Sequence, residues 1–225
     1  RSATRPYEQA QVVAAPVGLR DFRGFSLQLH NVEPAHPYEQ YIDEIADAGA
    51  NSVMLVVKGF QENADSTSIF IDARRTPDDA WIGRLVAHAH KRGLRVALMP
   101  IVLLDNPRSG EWRGKIGHSG WSDSKWDDWW NRYREFILHY ARLCEANDVE
   151  LFVIGSELVG TDRQTERWCD LIARIRRTYG GLLTYSCNWD HYEVVRFWDK
   201  LDAIGMTNYY DLSGGQGATV PTLMG

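Results

Sequence analysis

Apolar and polar positions along this chain fall into alternating blocks, with six short apolar runs separated by stretches of helical period. The runs lie at 24–30 (GFSLQLH), 52–57 (SVMLVV), 95–104 (RVALMPIVLL), 150–154 (ELFVI), 182–186 and 202–206. Near-continuous apolar strands are buried on both faces, the habit of parallel sheets. Residues 38–48 predict a helix, with Pro37 at its first turn and Gly49 as its stop. A second helix opens at Thr76 as cap, with Pro77 at the first helical position and Asp78 and Asp79 in the first turn, and stops at Gly93. The longest helix, 125–146, sets Trp126, Trp129, Trp130, Tyr133, Ile137, Tyr140 and Cys144 on one face. Two more are predicted, over 163–179, ended by Gly180 and Gly181, and over 192–199. Residues 105–123 read as a long loop. Residues 1–20 have no clean period and read as a leader or strap. The tail from Leu212 is loop-like, with Val220 and Pro221 opening one more helical turn.

Six β–α alternations argue for an α/β fold with a parallel sheet. A doubly wound sheet would show a Gly-rich phosphate turn after an early strand, and no GxGxxG or GxxxxGK[ST] occurs. Gly214, Gly215 and Gly217 sit too near the end of the sequence for that role and read as a flexible loop. A (β/α)8 barrel collects its functional residues at the strand C-termini, and polar and aromatic residues gather there. A barrel has eight units in about 250 residues, against six here. The expectation is a barrel over 21–225 that is incomplete at its C-terminal side. The edge of the sixth strand then needs a partner, supplied by a continuation of the chain, a second polypeptide, or residues 12–17.

The 225 residues carry 25 Lys and Arg against 30 Asp and Glu, a formal net charge of −5 with no basic stripe, which argues against a nucleic-acid partner. No apolar run nears the roughly 18 residues of a membrane span. Three separate cysteines, Cys144, Cys169 and Cys187, make neither a disulfide scaffold nor a structural zinc site. Unpaired cysteines fit the cytoplasm, while a first residue that is Arg1 rather than Met fits export, and the second is slightly favoured. The unusual feature is nine Trp and ten Tyr, with five of the Trp between Trp112 and Trp130.

These aromatics, with the residues at the strand ends, suggest a sugar site. His30 and Asn31, Gln61 and Glu62, Asp105, Ser156 and Glu157, Asn188, Trp189 and Asp190, and Asn208, Tyr209 and Tyr210 each follow a strand. Sugars offer hydroxyls to polar side chains and flat C–H faces to rings. His88 and His90 are two apart on a helix and do not share a face, so no metal pair is read; no cofactor is expected.

From about Phe22 onward the chain resembles the TIM-barrel glycoside hydrolases of the retaining clan of cellulases and mannanases, and most closely the family 113 β-mannanases. The likeness rests on the order and spacing of several segments: Gly49-Ala50-Asn51-Ser52-Val53, Gln61-Glu62-Asn63, Gly110-Glu111-Trp112-Arg113-Gly114, the helix with Trp129, Trp130, Tyr133, Phe136 and Tyr140, Phe152-Val153-Ile154-Gly155-Ser156-Glu157-Leu158, Tyr185-Ser186-Cys187-Asn188-Trp189-Asp190, and Asp202-Ala203-Ile204-Gly205 with Tyr209 and Tyr210. The resemblance implies that Glu157, ending the fourth predicted strand, is the general acid/base. It also implies a nucleophilic Glu at the end of a seventh strand, beyond residue 225. The chain departs from the pattern at Ser156, where the clan often has Asn, and at Ile101, where a His commonly follows the strand-three Pro.

Each residue has a plainer reading. Glu157 follows an apolar run at the edge of the low-dielectric interior, where an acid/base carboxyl belongs; otherwise it caps a helix or pairs with an Arg. Trp112 and Trp121 are sugar platforms or a local core over the barrel mouth, whereas Trp126, Trp129 and Trp130 read as core from their spacing. Arg113 orients a carboxylate or pairs on the surface with Glu111. His30, Asn31, Gln61, Asn188, Trp189, Tyr209 and Tyr210 are candidate substrate contacts, and Asp190 reads as the cap of the following helix.

Three functions compete. They are a retaining hydrolase of a β-linked polysaccharide such as mannan, a non-catalytic carbohydrate-binding barrel, and a barrel enzyme of unrelated chemistry.

Overall fold

The computed structural model describes residues 22–209. Along the chain the elements are β1 (Gly24–Gln28), α1 (Tyr38–Asp47), β2 (Ser52–Gln61), β3 (Ile69–Phe70), α2 (Asp79–Lys91), β4 (Arg95–Leu104), α3 (Asp123–Ala146), β5 (Leu151–Ser156), α4 (Thr165–Arg176), β6 (Leu182–Asn188) and β7 (Ala203–Thr207). All six predicted strands form. They pair in parallel in the order β1-β2-β4-β5-β6-β7, and the short β3 adds an antiparallel partner to the end of β2. The result is part of a (β/α) barrel. Among the described residues its two end strands, β1 and β7, do not pair with each other. Phe25 on β1 and Ile204 on β7 are 58% and 64% exposed within residues 22–209, whereas Leu27 of β1 packs against the core. The segments at 1–20, 12–17 and 220–221, and Tyr210, lie outside the described residues.

Helices pack the sheet on one side. Leu55, Leu98, Phe152, Leu183 and Tyr185 share one buried cluster with Ile42 of α1, Leu85 of α2, Tyr133 of α3 and Trp168 of α4. Aromatic rings tie α3 to α4 and on to β6. Trp129 stacks on Tyr133 at 4.8 Å, Trp130 meets Trp168 edge-on at 5.1 Å, and Trp168 lies 5.0 Å from Tyr185 of β6. Ring pairs of this kind add about 0.5–1.5 kcal/mol each beyond the area they bury. The expected α3 stripe is buried, except that Trp126 is only half-buried.

Three local expectations change. The cap of α2 is Asp78, whose side chain accepts from Trp81 N–H at 2.7 Å, because the Thr76 hydroxyl is engaged with Lys58 C=O at 2.9 Å. No α-helix spans 192–199, where turns lead to a single 3₁₀ turn at Trp198–Lys200. Its buried residues, Val195 and Phe197, are two apart, a spacing that no helical face can present. Asp190 therefore caps nothing; it accepts from Asn188 Nδ2 and bonds the His191 ring. The fourth helix is also shorter than 163–179 at both ends. Among the described residues no helix is long and apolar enough to cross a membrane.

Candidate active site

The C-terminal ends of the parallel strands form one rim, and Glu157 stands at its middle, directly after β5. The approach to it is irregular. β5 and β6 run in register from Leu151 to Val153, then resume with Ser156 opposite Ser186, so Ile154 and Gly155 oppose Tyr185 alone. This β-bulge re-aims the strand end. Gly155 allows it, since a Cβ there would lie 2.8 Å from Tyr133 Oη, 2.9 Å from the Trp168 ring and 3.0 Å from the Tyr185 ring. Glu157 itself has φ 53°, a left-handed conformation that costs a non-glycine residue about 1–2 kcal/mol.

Several elements hold that conformation. Glu157 N–H donates to Ser186 C=O at 2.8 Å. The next N–H, from Leu158, donates to the Tyr185 hydroxyl at 3.0 Å, and that hydroxyl donates to Asp162 Oδ1 at 2.7 Å. Leu158 C=O accepts from Thr161 Oγ1 at 2.7 Å. Asp162 has no exposed surface, and burial pushes its carboxyl up to about 6, against the lowering effect of the Tyr185 hydrogen bond and of His191.

Arg113, from the long loop after β4, reaches this strand end. Its Nη2 donates to Glu157 Oε2, and its Nε donates to Ser156 C=O at 3.1 Å. Both side chains are largely shielded from solvent, so the pair is stronger than a surface ion pair. Glu157 Oε1 carries no hydrogen bond within residues 22–209. Glu111 does not compete for Arg113, because its carboxylate accepts from the backbone N–H groups of Arg108 and Ala64.

The other candidates are spread along the rim. Asn188 ends β6 two residues beyond Ser186, on the same face of the strand, and is half-buried together with Trp189. Tyr209 follows β7 and is 72% exposed. His30 is exposed after β1, and Asn31 Oδ1 accepts from Glu33 N–H in a local turn. Trp112 is 39% exposed and covers Gly114. Trp121 is tied down instead, its Nε1 donating to Asp65 and its ring 4.7 Å from that of Trp126. Gln61 is fully buried and faces the helices. Its Oε1 accepts from Trp129 Nε1 and its Nε2 donates to Asn63 C=O, both at 2.8 Å, so it does not reach the rim.

A cavity of about 330 Å³ opens beside the Glu157 turn, lined by His118, Gly160, Arg163, Asp190 and His191 among others. A second cavity, of about 850 Å³, lies around the start of α2, lined also by Glu39 of α1 and by His139 and Tyr140 of α3, and includes none of the candidates. Sequence reasoning missed Asp162 and Tyr185. The available signal was a tyrosine inside an apolar strand, since a buried Tyr hydroxyl usually has a partner.

Fold and site together define a partial (β/α) barrel whose rim carries a shielded, arginine-held glutamate at a strand end. The chain belongs to Glycoside Hydrolase Family 113, whose sequence pattern matches residues 34–220. Among solved structures, a family 113 β-1,4-mannanase complex is 29% identical, with 86% of this chain and 64% of that one aligned at a TM-score of 0.77. The family 113 β-mannanase of Alicyclobacillus acidocaldarius in complex with ManMIm is 30% identical, covering 88% of this chain and 64% of that one at a TM-score of 0.78. A hyperthermophilic endo-β-1,4-glucanase, 14% identical over 82% of this chain and 59% of that one at a TM-score of 0.52, shares the fold. The chain thus spans about 64% of the length of the mannanases it resembles. No curated protein matches it.

Proposed function

We propose that this chain carries the acid/base half of a retaining β-mannanase site, with Glu157 as the proton donor. The observation that supports this most directly is the Arg113–Glu157 pair at the end of β5 in a chain of family 113. In the first step a nucleophilic carboxylate bonds to the anomeric carbon, the C–O bond to the leaving sugar breaks, and Glu157 gives that oxygen its proton. In the second step the Glu157 carboxylate takes a proton from water, the water oxygen attacks the anomeric carbon, and the nucleophile is released. Arg113 fixes Oε2, so Oε1 is the oxygen left to exchange the proton. The nucleophile is a Glu at the end of the next parallel strand after β7, the seventh of the barrel and beyond residue 225, about 5 Å from Glu157 in the assembled site. Asn188, Trp189, Trp112, Tyr209, His30 and Asn31 contact the oligosaccharide around it, by hydrogen bonds and ring stacking.

The test is Glu157→Gln in the full-length protein, with kcat/KM measured on β-1,4-manno-oligosaccharides and a mannoside with a dinitrophenyl leaving group. Loss of general acid should lower kcat/KM about 10²–10⁴-fold on the oligosaccharide, and much less on the activated substrate. Wild-type rates on the oligosaccharide would overturn the assignment. Unaltered oligosaccharide binding with no hydrolysis by either form would instead favour a non-catalytic sugar-binding barrel.

A further inference from the structure

We infer that Tyr185 and Asp162 are positioning residues for Glu157: the buried Asp162 carboxylate fixes the Tyr185 hydroxyl, and that hydroxyl holds the Leu158 N–H that keeps the Glu157 turn in its left-handed form. The inference rests on the reading of Glu157 as the acid/base.

Four observations carry it. The backbone of Glu157 is in a conformation that a non-glycine residue leaves unless it is held. The peptide that follows is held from beneath by a hydroxyl engaged on both sides, accepting from Leu158 N–H at 3.0 Å and donating to Asp162 Oδ1 at 2.7 Å. Tyr185 lies opposite the bulge that re-aims the end of β5, so the residue that reads the bulge also grips the turn beyond it. The fourth observation is the one that a purely structural role explains least. Asp162 is completely buried, and its Oδ2 has no hydrogen-bond partner among the described residues. A half-satisfied buried carboxyl is costly to fold around. An apolar residue would fill the space more cheaply, but would leave the tyrosine hydroxyl free to rotate away from Leu158. Neither side chain reaches the rim, so both act through the Glu157 backbone and do not touch substrate.

The experiment compares Tyr185→Phe, Asp162→Asn and Glu157→Gln in the full-length protein. kcat/KM is read on a manno-oligosaccharide and on the dinitrophenyl mannoside, and near-ultraviolet circular dichroism checks that each variant is folded. Tyr185→Phe removes one oxygen. It should lower kcat/KM about tenfold on the oligosaccharide, with KM little changed, and clearly less on the dinitrophenyl substrate, repeating the Glu157→Gln pattern in weaker form. Asp162→Asn should show the same leaving-group dependence, and it decides the question should Tyr185→Phe not fold. A misplaced acid penalises poor leaving groups, whereas a general loosening of the barrel lowers both substrates alike. Equal losses on both substrates, or no loss, while Glu157→Gln remains selective, overturn the inference alone. A Glu157→Gln loss that is equal on both substrates removes the acid/base reading, and this inference with it.

Discussion

Arg113 and Glu157 lie 44 residues apart in the sequence and meet at the end of β5, where the guanidinium bonds both the Glu157 carboxylate and the carbonyl of the residue before it. The two bonds do different work. One fixes the carboxyl, and the other fixes the strand end that carries it, so the angle between side chain and backbone is set by a single planar group.

Arg113 is therefore not replaceable by another cation. A lysine has no rigid fork and can satisfy only one of the two acceptors well. Charge-assisted hydrogen bonds of this kind are worth about 1.5–3 kcal/mol. In the full-length protein, Arg113→Ala should lower kcat/KM on mannan by about 10²-fold and Arg113→Lys by about tenfold. Steady-state kinetics measures this, and an alanine variant as active as wild type would remove Arg113 from the site.

Gly155 should tolerate no side chain. Its missing Cβ would fall within 3.0 Å of Tyr133 Oη and the Trp168 and Tyr185 rings, all of them buried. Relief requires shifting the aromatic cluster or straightening the bulge. Gly155→Ala should destabilise by about 1–3 kcal/mol, the usual cost of overpacking, seen as a lower urea midpoint. An unchanged midpoint would show that the bulge is soft.

The strands were legible because burial on both faces leaves an unbroken apolar run, and the run at 95–104 forms a strand with those bounds. Helix starts were harder, since capping depends on which nearby side chain is free. Thr76 is not free, and Asp78 takes its place. The pair Ile69–Phe70 is too short to leave a periodic signal, and forms only because Phe60 and Gln61 are there to pair with it. Within the site, Glu157 was readable from its place after an apolar run. Its partner was one of two readings for Arg113, because a loop of this length fixes no direction. The bulge, the left-handed Glu157 and the Asp162–Tyr185 bond depend on register across β5 and β6, which no local pattern encodes.

Gln61 and Trp112 should separate stability from binding. Gln61→Leu leaves the buried Trp129 Nε1–H and Asn63 C=O without their partners, which should cost about 2 kcal/mol or more of stability. Trp112 is 39% exposed, so Trp112→Ala should cost under about 1 kcal/mol, yet weaken manno-oligosaccharide binding by about tenfold if its ring stacks on sugar. Urea unfolding and calorimetric titration of both variants check this. The reverse pattern would make Trp112 a structural lid.

The pH dependence of stability should carry the mark of Asp162. Its carboxyl is raised from an ordinary 3.8 to about 6, chiefly by burial. In that interval the folded state keeps a proton that the unfolded state has released, so stability from this group is full below about 4 and declines as pH rises through 6. The decline amounts to about 3 kcal/mol by neutral pH, an order-of-magnitude figure. The carboxylates of Asp65, Asp72, Asp170 and Asp190 are lowered, mainly by side-chain hydrogen bonds, so their contribution is lost only as pH falls below the ordinary carboxylate range. The two signs are therefore separated along the pH axis. Urea unfolding of the wild type and Asp162→Asn at intervals from pH 4.5 to 7.5 should show the wild type losing stability with rising pH relative to the variant. Parallel curves would mean that the carboxyl finds compensation, and that burial does not hold its proton.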